Sequence, residues 1–577
     1  MSKTTSVGWY ENHFDRNKIL LVLLPYWTPL IPPQGIAALK VFLEKYDYKV
    51  KTVDVNVESQ FKDFYQQYFN TLKQYIPESN WGNFYNIGHD VLRNHMMAHF
   101  NYKNGVGDRK EYDELVKLLI YNTYYQELHT PQLSRLDGLI ESFYIELGKY
   151  ILHLLEIEKP GVLGLTAHLG TLAASMFSLK LVKERYPGIM TVLGGTIFSG
   201  ELPMASPDFK FFLEKTPYID KVIIGEGENL FLKVLKGELL ETQRVFDLKN
   251  FREERLDIGS IDLPDLSDFY MDRYPFNAAF ISKSCPNQCK FCNVAGFFGK
   301  YREKNIVLAV DQLVELYQRN GCQLFHMLDS LANPFMTNLA QELIKRDLSL
   351  YLDFYMRVSE EAADPEKTYL WRRGGLYRVR LGVETGSPRL LELMGKEITV
   401  EQSRAAIKSL AQAGIKTTTY FVIGFPGETE KDFQQTLDFI EELKNDIWEM
   451  ECNPFYYYYT GQPNTYKWGK QRKLLYPGYA REMLIAQTWI LAGDPTREER
   501  FRRMFRLTEH CKKLGIPNPY SSKEIYEADK RWKNLHENAV PPLIEFENNG
   551  VYIDENKHVK KLLAAQDTLQ HDGDFNF

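Results

Sequence analysis

The chain has 577 residues, 44% of them hydrophobic and 25% charged, which is too long for one hydrophobic core and ordinary in composition for several globular units. A net charge of −6 gives no general attraction to nucleic acid or anionic lipid, so neither is expected as a partner. Six cysteines make no disulfide framework; three of them fall within eight positions, which points to a metal site in a reducing compartment and so to the cytoplasm.

The first apolar run, Ile19 to Leu24, follows a polar N-terminus and is broken by Pro25, Pro29, Pro32 and Pro33, so it is read as a buried strand rather than a signal peptide or membrane span. A helical pattern from Gly35 to Lys45 and a second strand over Tyr48–Asp54 complete a β-α-β unit. Residues 58–158, rich in Tyr, Leu, Gln and Lys and poor in Pro and Gly, read as a helical insertion. The alternation resumes with strands at Gly161–Thr166, Met190–Leu193 and Lys221–Ile224, the last two closed by Gly194-Gly195 and by Gly225. Strands alternating with helices and ending on glycines predict an open, doubly wound parallel sheet of Rossmann type over residues 1–256.

Residues 257–277 carry turn chemistry and read as a linker. Six further strands follow, near Ala278–Ser282, Gln323–Leu328, Asp353–Arg357, Arg378–Val383, Thr417–Ile423 and Trp448–Phe455, with helices between them. Six parallel β/α units over 278–463 predict a partial (β/α)6 barrel. Residues 464–577 read as mainly helical, with a late hairpin around Asn548-Asn549-Gly550 and a polar tail from Gln566.

The chemistry concentrates in Cys285-Pro-Asn-Gln-Cys289-Lys-Phe-Cys292, directly after the first strand of the second region. Three thiolates on one short loop can ligate three irons of a 4Fe–4S cluster and leave the fourth open to a small chelating ligand. The competing structural reading is zinc, which prefers four protein ligands; the next candidates, Cys322 and His326, lie about thirty residues away.

On these residues the segment from about Ala278 to Pro463 resembles the radical S-adenosylmethionine (SAM) superfamily, with its C-x3-C-x2-C loop after the first strand of a partial barrel. Phe291 stands at the aromatic position before the third cysteine. The resemblance implies Asp329 or Ser330 near the SAM amino nitrogen, although the usual Gly-Gly-Glu is absent. It implies Arg357 at the end of the third strand, and Glu384 and Ser387 near the ribose or methionine. It also implies that the backbone at Ile423 and Gly424 lies against adenine. Cys285, Cys289 and Cys292 are then the cluster ligands.

A second resemblance, to the cobalamin-binding domains that precede some radical SAM domains, rests on Leu23-Leu-Pro25, Pro32-Pro33-Gln-Gly35, Val53-Asp54-Val-Asn56, Gly164-Leu-Thr166, Leu193-Gly194-Gly195-Thr196 and Gly225-Glu226-Gly-Glu228. It implies a cobalamin pocket at Pro33, Thr166, His168, Gly194, Gly195, Thr196, Gly225 and Glu226. The Asp-x-His-x-x-Gly signature of a lower histidine ligand is missing, since Asp54-Val-Asn56 offers no imidazole. His168 on its loop is read mainly as a hydrogen-bonded structural residue, with a ligand role as the alternative.

The run Phe455 to Tyr459 is expected to alternate between core and substrate cavity, and the basic stretch Arg497 to Arg506 to form a solvated helix face. Together the readings imply a cobalamin-dependent radical SAM enzyme, a C-methyltransferase acting on a peptide or other natural-product intermediate, with a flavodoxin or ferredoxin as reductant. Two alternatives stay open. One is a radical SAM enzyme of cyclisation, epimerisation or rearrangement; the other is a binding protein on a degenerate enzyme fold.

Overall fold

The structure, a computed structural model, describes residues 14–27, 29–484, 489–517 and 522–536. These divide into two compact units. One takes its described residues from Met1–Ile76, Gly88–Tyr270 and Leu474–Thr488, the other from Pro77–Ile87, Met271–Lys473 and Trp489–Phe577.

In the first unit, β1 (Asp15–Leu23), β2 (Lys49–Asp54), β3 (Pro160–Thr166), β4 (Met190–Gly194), β5 (Lys221–Ile224) and β6 (Val245–Asp247) form one sheet in the order β2-β1-β3-β4-β5-β6, parallel at every pair. Ile19 to Leu23 are at most 2% exposed, as an unbroken apolar run requires when both faces of a strand are covered. Strand β6 has no counterpart among the predicted elements, because three residues are too few to show a period. The chain order reverses beside β1, so the crevice between the carboxyl ends of β1 and β3 is the switch point at which such sheets bind ligands.

Helix α1 (Gln34–Glu44) connects β1 to β2, and α2 (Ser59–Lys73), α3 (Phe84–Lys103), α4 (Arg109–Tyr124) and α5 (Thr130–Glu158) fill the segment between β2 and β3. Asp108 starts α4 with a capping box, accepting from Glu111 N at 2.8 Å while Glu111 accepts from the Asp108 N–H. Asp137 on α5 is buried beneath these helices, where its Oδ1 lies 2.9 Å from His95 Nε2 and accepts from Tyr112 OH at 2.7 Å. Burial alone would raise its pKa, but those hydrogen bonds and the Arg109 charge outweigh it and hold the carboxyl at about 2.

In the second unit, β7 (Asn277–Ala279) is followed by a short antiparallel pair, β8 (Ser282–Lys283) with β9 (Arg302–Glu303). Then come β10 (Leu324–Met327), β11 (Tyr351–Arg357), β12 (Leu376–Glu384), β13 (Lys416–Ile423) and β14 (Glu449–Pro454). Strands β7 and β10 to β14 lie side by side in chain order and all parallel, the succession of a partial barrel. The interior of this sheet is polar. Arg380 bonds Asp353 at 2.9 Å, Arg378 bonds Thr418 at 2.9 Å and pairs with Glu449, and His326 Nδ1 lies 3.2 Å from Asp353.

Phe455 and Tyr457 pack into an aromatic core with Phe425 and Trp468, whereas Tyr456 and Tyr458 face a cleft, the alternation of an extended chain. The basic helix Arg497–Lys513 departs from a wholly solvated face: Arg500 and Arg503 are 4% and 5% exposed. They point inward because a buried carboxylate, Glu428, and an aromatic ring, Phe455, lie opposite them. The hairpin expected around Asn549 and the tail from Gln566 lie outside the described residues. No helix among the described residues is long and apolar enough to cross a membrane.

Candidate functional site

The cysteine loop leaves β8 through Ser284, whose φ of +76° turns the chain and whose hydroxyl donates to Gly299 O at 2.6 Å. Lys290 ties the loop to the helix Pro388–Met394, its N–H donating to Met394 O at 2.9 Å and its Nζ to Leu393 O at 2.8 Å. Cys285, Cys289 and Cys292 thereby face one half-open cleft of about 230 Å³. Arg357, at the end of β11, donates from Nη1 to Cys289 Sγ at 3.2 Å, and Asn287 donates to Cys285 Sγ at 3.4 Å. Burial, and then the two neighbouring sulfurs, push the Cys292 thiol up to about 12.

Three sulfurs facing one space, two with hydrogen-bond donors beside them, are a donor set that positively charged iron would relieve of desolvation and mutual repulsion. Among the described residues no three His, Cys, Asp or Glu side chains close on a single ion. The three thiols line one cleft with no fourth Cys or His among its lining residues, which fits a cluster that takes three protein ligands.

The cleft wall comes from strand ends. Asp329 follows β10 and is 1% exposed; its carboxylate accepts from Ile281 N at 3.1 Å, Ser282 N at 2.5 Å and Ser282 Oγ at 2.7 Å. Burial pushes this carboxyl up to about 6, against the pull of those hydrogen bonds. Ser330 lines the cleft beside it. Glu384 closes β12 with a φ of +69° and pairs with Lys396 Nζ at 2.5 Å. Gly382 makes room for this pair, since a Cβ there would sit 2.6 Å from Glu384 Oε1 and 2.8 Å from Lys396 Nζ.

Three of the expected SAM positions, Ser387, Ile423 and Gly424, sit apart from the cleft lining. Ser387 caps the helix Pro388–Met394, accepting from Leu390 N at 3.3 Å and donating to Asp432 at 2.6 Å, which leaves its hydroxyl engaged. Ile423 and Gly424 follow Val422, which does line the cleft, and Gly424 turns the chain with a φ of +76°. Lys396, Tyr355, Arg380, Tyr420 and Asn453 line the cleft without having been singled out in the sequence. Period-two counting inward from Arg357 and Glu384 reaches Tyr355 and Arg380, whereas Tyr420 and Asn453 fall off that count from the ends of their strands. Lys396 is marked by its place just after Gly395, which ends the helix Pro388–Met394 in the left-handed conformation.

In the first unit the expected cobalamin positions gather at the carboxyl ends of β3, β4 and β5, with Pro33 at the start of α1. Thr166, His168, Gly194, Gly195 and Thr196 are half-buried and Gly225 is exposed. Gly195 has a φ of +111°, and a Cβ there would strike Ala167 O at 2.3 Å, so this glycine permits close packing of two loops. His168 Nδ1 lies 2.7 Å from Thr196 Oγ1, and its ring stacks on Trp27 with centroids 4.3 Å apart. Burial lowers its pKa to about 4, so the imidazole is neutral at pH 7. Glu226 pairs with Arg255 at 3.3 Å. Asn56, where a lower histidine ligand would stand, accepts from Trp27 N at 2.6 Å and donates to Leu24 O at 3.2 Å, so its amide is used to hold the loop after β1.

A cysteine triplet on the first loop of a parallel β/α succession, facing a charged cleft at the strand ends, is the arrangement of a radical SAM domain. Residues 280–440 match the Radical SAM superfamily, so this segment is a radical SAM domain.

Among curated relatives the chain is 27% identical over 327 residues to an anaerobic magnesium-protoporphyrin IX monomethyl ester cyclase of Rubrivivax gelatinosus, spanning 51% of this chain and 56% of the relative. It is 27% identical over 345 residues to an uncharacterized methyltransferase of Pyrococcus horikoshii, 54% of this chain and 70% of that one. It is 25% identical over 349 residues to the cytidylyl-2-hydroxyethylphosphonate methyltransferase of Streptomyces wedmorensis, 49% of this chain and 62% of that one. The match to the cyclase thus covers little more than half of that relative's length.

Two solved structures share the fold along almost the whole chain. One is the radical SAM methyltransferase TsrM of Kitasatospora setae with cobalamin and a 4Fe–4S cluster bound, with a TM-score of 0.53, 13% identity and coverage of 96% of this chain and 99% of that one. The other is the cobalamin-dependent SAM radical enzyme OxsB with aqua-cobalamin and SAM bound, with a TM-score of 0.52, 15% identity and coverage of 94% and 74%.

Proposed function

We propose that the chain is a cobalamin-dependent radical SAM methyltransferase that acts on an unactivated carbon of a peptide or other natural-product intermediate. The observation that carries the reading is the cleft itself: Cys285, Cys289 and Cys292 share it with Arg357 and with the Glu384–Lys396 pair. A 4Fe–4S cluster on the three thiols would supply an open iron and an electron for SAM cleavage, and a cobalamin on the first unit would supply the methyl group.

The chain's own residues then bind, orient and exclude water. Arg357 stabilises negative charge on Cys289 and offers its guanidinium to a carboxylate; Asp329 and Ser330 offer acceptors to an amino group. Glu384, oriented by Lys396, faces the same space, and the turn at Ile423 and Gly424 presents backbone to a planar base. Ser387 acts through the helix it caps rather than by contact. Pro33, Thr166, His168, Gly194, Gly195, Thr196, Gly225 and Glu226 are the residues proposed to hold cobalamin. Because Asn56 offers no imidazole and its amide is committed to the loop after β1, the donor set fits a cobalamin without a lower imidazole from the β2 end.

Anaerobically reconstituted protein, given a flavodoxin or ferredoxin as reductant, is expected to bind methylcobalamin, release 5′-deoxyadenosine and consume two SAM for each methylated product. Absence of cobalamin binding removes this reading. The similarity to cyclases favours one second reading, radical cyclisation without methyl transfer. Deoxyadenosine formed with an unmethylated product would select it.

A further inference from the structure

The turn after β13, Gly424-Phe425-Pro426-Gly427, is held from behind by the basic helix Arg497–Lys513 and the residues that lead into it. Glu428 is 4% exposed and accepts from Gly424 N at 2.8 Å. Arg503 Nη1 donates to the same carboxylate oxygen at 2.9 Å and to Glu428 O at 3.1 Å. Gly424 leaves no room for a side chain, because a Cβ there would lie 2.0 Å from Arg500 Cγ. Arg500 is fixed in turn by donation from Nε to Pro495 O at 3.1 Å, and Gly427 N donates to Asp494 O at 2.9 Å. One helix and its lead-in therefore touch the turn at Gly424, Gly427 and Glu428.

A main-chain turn that recognises a flat base does so by the direction of its N–H and C=O groups, so an error in its tilt is an error in affinity. Within the turn Glu428 N donates to Phe425 O at 2.9 Å, and at its far end Arg389 donates to Gly427 O at 2.6 Å, but neither bond reaches the Gly424 N–H. The Gly424 N–H points instead at a carboxylate whose charge is stabilised from outside the barrel segment. We propose that Arg503 is a positioning residue for the SAM adenine site: by pairing with Glu428 it keeps the acceptor for the Gly424 N–H ionised and fixed, so that the C-terminal helix sets the affinity for SAM. This rests on the reading that Ile423 and Gly424 meet adenine.

Burial pushes the Glu428 carboxyl up to about 7, with Arg503 working against that rise. The charges facing it are few. Asp432, itself paired with Arg389, adds to the rise; Glu430 and Glu499 approach Arg503 Nε at 3.5 Å and 3.3 Å, and Arg506 engages Glu430 at 2.7 Å. Removing Arg503 therefore moves the protonation of Glu428 to higher pH, and a protonated carboxyl is the weaker acceptor.

The test is equilibrium dialysis of radiolabelled SAM against the full-length, cluster-loaded protein between pH 6 and 9, with iron content and thermal melting measured on each sample. Arg503→Met is expected to weaken SAM binding about tenfold at pH 7.5, and to move the pH at which affinity halves upward by at least one unit. Arg503→Lys is expected to restore most of both. Glu428→Gln, which preserves shape, is expected to bind weakly and without pH dependence. SAM binding by Arg503→Met equal to that of the wild type overturns the proposal. A loss equal at every pH and not rescued by lysine also overturns it, because that is the pattern of a merely structural helix. Wild-type protein that holds its cluster yet fails to bind SAM overturns the underlying reading of the site instead, and this shows before any variant is made.

Discussion

Asp329→Asn should make the protein more stable and a poorer SAM binder. Burial raises the Asp329 carboxyl from an ordinary 3.8 to about 6, so the folded state prefers the neutral form while the unfolded chain ionises at lower pH. A raised carboxyl pKa means that stability is greatest below the unfolded value and declines as pH climbs to the folded one. At about 1.36 kcal/mol per pH unit, the decline amounts to about 1.5 kcal/mol by pH 5 and about 3 kcal/mol by pH 7. Asparagine removes that penalty and keeps an acceptor at the position of Oδ1, which already lies 3.1 Å from Ile281 N, 2.5 Å from Ser282 N and 2.7 Å from Ser282 Oγ. With about 2–4 °C of melting temperature per kcal/mol for a large domain, Asp329→Asn should melt about 6–12 °C above the wild type at pH 7, with roughly half that margin at pH 5. Anaerobic thermal melts of the apoprotein from pH 5 to 8 measure this, and dialysis with SAM should show weaker binding, because the cleft has lost a negative charge. A variant that melts below the wild type at pH 7, or whose margin is flat from pH 5 to 8, refutes the assignment of a buried, costly charge to Asp329.

Replacing Cys285, Cys289 or Cys292 by serine should abolish SAM cleavage and the visible absorption of the cluster while leaving the far-ultraviolet circular dichroism intact; iron content in any of the three equal to that of the wild type counts against their shared role. His168 and His99 are both held near 4 by burial and are neutral in the fold at pH 7. A depressed histidine pKa means stability is lost as pH falls from about 6.5 towards 4, so His168→Gln should flatten part of the acid limb of the melting curve. Glu451 is fully buried, and burial pushes its carboxyl up to about 7 against the pull of the Tyr420 hydroxyl and the Arg380 charge. Glu451→Gln should be tolerated at pH 6 and stabilising at pH 8 in thermal melts; destabilisation at pH 8 would show that the ionised form is the one the fold needs.

Apart from the three-residue β6, the strands of both sheets were legible in the sequence, most clearly where a strand covered on both faces reads as a continuous apolar run, as at Ile19 to Leu24. The cysteine loop was legible because its pattern is local: three thiols within eight residues need no tertiary information. Lys396 was not, since its partner Glu384 is twelve positions away and the pair depends on a left-handed turn at each residue before or at the contact, Gly395 and Glu384. The inward turn of Arg500 and Arg503 was hidden for a related reason: a helix with this many charges looks solvated until the buried carboxylate of Glu428 is placed opposite it. The commitment of Ser387 to a helix cap was written in the sequence, because Ser387-Pro388 is a helix-start signal that competes with a binding role for the same hydroxyl.

The polar interior of the second sheet bears on why the cleft sits where it does. Asp353 meets Arg380, Glu449 meets Arg378, and Glu451 on the strand beside Tyr420 is the remaining acid. With Glu451 protonated, two carboxylates balance two guanidiniums and the layers beneath the cleft carry no net charge. Nearer the strand ends the balance changes. Glu384 is matched by Lys396, but Arg357 spends its guanidinium on a cysteine sulfur and Asp329 its carboxylate on backbone donors. A cationic and an anionic group that are held apart on one wall, neither paired with the other, are poised for a ligand that brings its own opposite charges. An amino acid such as methionine, with its ammonium and carboxylate on one carbon, is a ligand of that kind, so the charge pattern of the wall favours the occupant proposed for the cleft.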